Sequence, residues 1–73
     1  MKHNDTGRTG VGRSLTTFRN SLGLTLKEAA EAGQTSYAYL SRVETGACIP
    51  KPLWVANYME ALGDHLAKRE VAA

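Results

Sequence analysis

Two short helical patterns, separated by three or four residues that favour neither helix, constrain this chain more than any other feature. They occupy residues 24–46, LTLKEAAEAGQTSYAYLSRVETG. Helices this short are not stable alone, so each must bury an apolar side against its neighbours. Thr25 opens the first. Glu28, three residues on, completes the pattern of a capping box, and Leu24 is placed to pack back as a staple. Ala29, Ala30 and Ala32 give a face of small residues that lets another backbone come close, and Gly33 ends the run. Thr35 or Ser36 caps the second pattern, Leu40 and Val43 face inward, and Gly46 closes it. The spacing predicts helices over residues 25–33 and 36–45.

The rest of the chain reads as more of the same. Its 73 residues allow one core and no second domain. Ser14 can cap a helix in which Leu15, Phe18 and Leu22 share a face, and Gly23 stops it. Residues 47–52 form a connector, where Pro50 holds Ile49 out of the helical region and Pro52 suits a first turn. Val55, Tyr58, Met59 and Leu62 then mark another helical face. Gly63 is expected to end that helix, and Asp64 to cap a last short one carrying Leu66 and Val71. No segment alternates as a hairpin would. The expectation is an all-α, compact bundle of about five short helices at residues 14–73. Residues 1–13, polar and without period, are expected to form a flexible basic arm.

Several kinds of chemistry are excluded by what is missing. One cysteine, Cys48, permits neither an internal disulfide nor a cysteine-based zinc site. His3 and His65 are far apart and belong to no metal-binding motif. Gly7, Gly10 and Gly12 follow no strand and precede no phosphate-binding lysine. Cys48 has no recognisable base to activate it and reads as a small side chain in a connector. Glu44, near a helix C-terminus, opposes the helix dipole and needs a cationic partner, for which Arg19 is the candidate. No enzyme, cofactor, metal or small-molecule substrate is expected. No apolar run approaches the roughly 20 residues needed to span a bilayer, and the N-terminal residues do not read as a signal peptide.

Net charge is only +2, so charge alone does not name a partner. Geometry says more. A brace of two short helices that presents the second outward is a common way for a small domain to enter the major groove of DNA. Arg42 can grip a phosphate or the edge of guanine with two donors. Tyr37, Ala38 and Ser41 join it as candidate base readers. Ser36 sits at the helix N-terminus, which suits phosphate. Lys27, Lys51, Lys2, Arg8 and Arg13 are the remaining phosphate candidates. Trp54, Leu66 and Val71 exceed what so small a core absorbs and are candidates for pairing two copies.

Taken in order, these residues resemble the phage repressor and Cro type of helix-turn-helix protein, the xenobiotic-response-element family. The resemblance runs from about Leu15 to Gly63. It includes Phe18-Arg19, Gly23-Leu24-Thr25, Glu28 with Ala30, and above all Leu40-Ser41-Arg42-Val43-Glu44 followed by Gly46. It implies a lambda-repressor-like fold and a cytoplasmic regulator in a bacterial host. Such a regulator binds an inverted repeat in double-stranded DNA as a homodimer, one that can form on the DNA. It also implies reading positions at Ser36, Tyr37, Ala38, Ser41 and Arg42. Two departures stand out. The family's phosphate-holding glutamine at the start of helix two is Leu26 here. At the turn, a bulky apolar residue followed by glycine is replaced by Gly33 and Gln34. Either the turn is shifted by one residue or Gln34 takes an unusual backbone shape. The other reading is a protein-interaction module on the same fold, such as an antitoxin or a regulator of another transcription factor.

Overall fold

Thr25 and Ser36 act as caps as their side chains dictate. The Thr25 hydroxyl accepts from the Glu28 backbone N–H at 3.1 Å, and the Glu28 carboxylate accepts from the Thr25 N–H at 2.9 Å. The bond from the Thr25 N–H, with a smaller contribution from the Thr25 side chain, holds the Glu28 carboxyl below its ordinary range. Ser36 accepts from the Tyr39 N–H at 3.0 Å. Between and around these caps the chain is an all-α bundle of four helices: α1 (Gly10–Ser21), α2 (Leu26–Ala32), α3 (Tyr37–Thr45) and α4 (Pro52–Ala72). This computed structural model describes the backbone of residues 10–72 and the side chains of residues 10–69.

The core draws on every helix. Leu15 comes from α1, Ala29 and Ala30 from α2, Leu40 and Val43 from α3, and Tyr58 and Leu62 from α4, with Leu24 from the α1–α2 turn. α3 packs against both α1 and α2, while α4 crosses α2. Ala29 and Ala30 of α2 are almost fully buried, as expected where helices approach closely, and Ala32 is half-buried.

Two expectations are corrected. The first concerns where α1 begins. It starts at Gly10 and not at Ser14, so residues 10–13 are helix, and Arg13 projects from its exposed side. Gly12 explains this: a Cβ there would lie 2.5 Å from the Val43 carbonyl oxygen and 2.9 Å from that of Glu44. The glycine lets α1 press directly on the end of α3, and that contact keeps the first turn helical. The rest of the expected arm, including Lys2 and Arg8, lies outside the described residues.

The second correction is the number of helices. The segment after Gly63 is not a separate fifth helix capped by Asp64, because α4 runs straight through it. An interior glycine costs roughly 1 kcal/mol against alanine. Here the stripe Tyr58, Leu62, Leu66 continues at four-residue spacing across Gly63, and Leu66 is half-buried. Continuity of that stripe on α2 outweighs the local stop signal.

Candidate nucleic-acid interface

Eight of the nine residues of α3 divide into a buried and an outward side, with the half-buried Tyr39 on the flank between them. Leu40, Val43 and Glu44 are buried. Tyr37, Ala38, Arg42 and Thr45 are exposed, and Ser41 is half-exposed. These five positions fall along one stripe at helical spacing, so the candidate base readers do share an outward face. Thr45 belongs to this face too, a position that the motif reading passed over. Its spacing from Ala38 and Arg42 was the available signal. Its hydroxyl bonds the Arg42 carbonyl at 3.3 Å, which fixes it at the helix end.

Behind this face lies an ion pair. Arg19 Nε donates to Glu44 Oε2 at 2.8 Å, and an Arg19 terminal nitrogen donates to Oε1 at 2.9 Å. The other terminal nitrogen reaches the Leu24 carbonyl at 2.9 Å, and the Thr16 hydroxyl donates to Glu44 Oε1 at 3.1 Å. Both charged side chains are mostly buried, at 13% and 7% exposure. The hydrogen bonding to Glu44 raises the Arg19 pKa above its already high ordinary value. One guanidinium therefore ties α1, the α1–α2 turn and α3 together.

The other flank of α3 is held by aromatic rings. Tyr39 meets Trp54 edge-on at 5.2 Å, and Trp54 stacks on Tyr58 at 5.0 Å with the planes 8° apart. The neighbouring Cys48 side chain pushes the Tyr39 pKa up, and the Cys48 N–H donates to the Arg42 carbonyl at 3.1 Å. Trp54 is thus half-buried inside the joint between α3 and α4. Its ring is engaged within the chain by Tyr39 and Tyr58, and part of it stays open to solvent. Leu66 is also half-buried, and the Val71 side chain lies outside the described residues. Among the described residues the most open large apolar side chains are Ile49 and Leu53, at 72% and 71% exposure.

The turn between α2 and α3 resolves the two possibilities raised by Gly33 and Gln34. The turn is not shifted. Gln34 adopts the left-handed backbone, with φ of 59°. The Thr35 N–H donates to the Ala30 carbonyl and the Gln34 N–H to that of Glu31, which is a Schellman cap with Gln34 at its left-handed position. Gly33 has an ordinary helical backbone, but a Cβ there would lie 2.6 and 2.8 Å from ring carbons of Tyr58. The Tyr58 ring fills the space that a bulky residue at 33 would need.

The phosphate candidates sit around α3 without converging on one point. Ser36 spends its oxygen's acceptor role on the cap, and its own proton is left to donate outward. Lys27 is exposed in the first turn of α2, and Lys51 is exposed just before α4. Leu26, where the resemblance would place a glutamine, is half-buried and packs on the core. Among the described residues no group of histidine, cysteine and carboxylate side chains could hold a metal. No helix there is long and apolar enough to cross a membrane. What the face offers is hydrogen bonding, one exposed cation and small apolar contacts, the vocabulary of groove reading.

Comparison with known proteins agrees with the geometry. A family described as a helix-turn-helix domain matches residues 11–72. No curated protein and no solved structure matches the chain.

Proposed function

The chain belongs to the helix-turn-helix domain family, and on that premise we propose that it is a small transcriptional regulator of the repressor and Cro kind. In this reading α3 enters the major groove. Arg42 grips a guanine edge or a phosphate, Tyr37 and Ser41 offer hydroxyls, and the Ala38 methyl meets a thymine methyl. Ser36, Lys27, Lys51 and Arg13 hold the backbone on either side. The observation that carries this is the two-sided α3. One face is open and able to hydrogen-bond, while the other is locked by the core and by Glu44.

A single domain covers about one groove face, and its charge is low. Two copies on an inverted repeat, with their reading helices about 34 Å apart, would add their contacts. The regulator would work in the cytoplasm of a bacterial host, as the resemblance implies. The protein-interaction reading draws on Ile49, just before α4, and Leu53, in its first turn, large apolar side chains left open. Selection of bound duplexes from random DNA by the full chain tests the choice, followed by a salt titration. A steep fall in affinity as salt rises supports groove binding. Failure to enrich any sequence supports the protein-partner reading.

A further inference from the structure

Among the described residues, three helix ends carry a left-handed backbone residue. Two of them use glycine: Gly23, at φ 74°, after α1, and Gly46, at φ 90°, after α3. The third, directly before the reading helix, uses Gln34. Glycine takes this conformation freely, whereas a long side chain is strained there. The strain is not forced by the cap, which needs only backbone groups. Nor is it relieved by the side chain, which is exposed and makes no hydrogen bond among the described residues. Meanwhile Leu26 is half-buried and supplies no amide to a phosphate.

We propose that Gln34 is a DNA-backbone contact of this chain, its side-chain amide N–H donating to a phosphate oxygen beside the N-terminus of α3. The inference rests on the reading of α3 in the major groove. Residue 34 is exposed two residues before the Ser36 cap, in the turn that leads into α3. An uncharged donor there adds affinity without adding to net charge, in a chain that carries only +2. The contact is to phosphate, so it strengthens binding to every sequence alike.

The test uses the full chain, a duplex selected from random DNA, and a random-sequence duplex. Gln34→Gly removes both the strain and the amide. It should raise the thermal midpoint by roughly 4–8 °C and weaken binding to both duplexes by a similar factor, about three- to tenfold. Gln34→Glu keeps the size and replaces the donor with a carboxylate. It should weaken binding more than Gln34→Gly does. Wild-type affinity in both variants would overturn the proposal, and a loss confined to the selected duplex would overturn the assignment to phosphate. If the unaltered protein binds neither duplex, the groove reading itself fails, and that result is distinct from a wild-type protein that binds while its Gln34 variants bind equally well.

Discussion

Arg19 and Glu44, 25 residues apart in sequence, form a two-pronged and nearly buried ion pair that joins α1 to α3. The pair sits directly behind the outward face of α3. Its geometry accounts for a carboxylate at a helix C-terminus, where the dipole disfavours negative charge. Removing one partner leaves the other buried and uncompensated, which costs about 3–5 kcal/mol. Arg19→Ala or Glu44→Ala should each lose that much in chemical denaturation, close to the whole stability of so small a domain. The double replacement with well-packed apolar residues should recover most of it. Single losses below about 1 kcal/mol would show the pair to be solvated.

Tyr58 is 1% exposed, and its hydroxyl has no hydrogen-bond partner among the described residues. Burial, helped by the nearby Glu44 charge, pushes its pKa up to about 12. The folded value lies above the unfolded one of about 10. The neutral phenol therefore contributes its full stability below pH 10, and that contribution is lost as pH rises through about 12. Tyr58→Phe should flatten this alkaline loss. At neutral pH it should be neutral or stabilising by up to about 1 kcal/mol, since it removes an unsatisfied buried polar group. Denaturation midpoints of the two proteins at pH 7 and at pH 11 check both parts. A clear loss at pH 7 would mean that the hydroxyl has a partner.

Gly33 and Tyr58 are matched in shape. Gly33→Ala drives a methyl into ring carbons 2.6 and 2.8 Å away. It should cost about 1–3 kcal/mol through overpacking. Tyr58→Phe should not rescue it, because the clash is with ring carbons that Phe keeps. Tyr58→Leu in the Gly33→Ala background should recover part of the loss, and thermal unfolding of the series reads this directly.

Arg42 is exposed at the centre of the outward face. Arg42→Ala should weaken DNA binding by about 1–3 kcal/mol. If Arg42 reads a base, the loss is larger on the selected duplex than on random DNA. If it holds a phosphate, the two fall together. Unchanged affinity on both would remove Arg42 from the interface.

What sequence alone made legible follows physical range. The cap at Thr25, a cap at Thr35 or Ser36, the inward Leu40 and Val43, and the Arg19–Glu44 pairing were readable. They depend on local chemistry or on a charge that demands a partner. The start of α1 was hidden because Gly10 and Gly12 look like a flexible segment. Only the distant carbonyls of Val43 and Glu44 show why glycine is required. Gly63 and Asp64 gave a stop signal that the packing of α4 on α2 overrode. Trp54 looked surplus to the core because its partners, Tyr39 and Tyr58, lie 15 residues before it and four after. The outward stripe was legible up to Arg42, and Thr45 was missed because it falls beyond the motif.

The measurement closest to the central claim is methylation interference on a duplex selected by the full chain. Guanine N7 lies in the major groove, and adenine N3 lies in the minor groove. With α3 in the major groove, methylation at guanine N7 within the selected site should block binding. The blocked positions should form two clusters about one helical turn apart. Interference confined to adenine N3, or none at either position, would contradict a reading helix at Tyr37–Thr45.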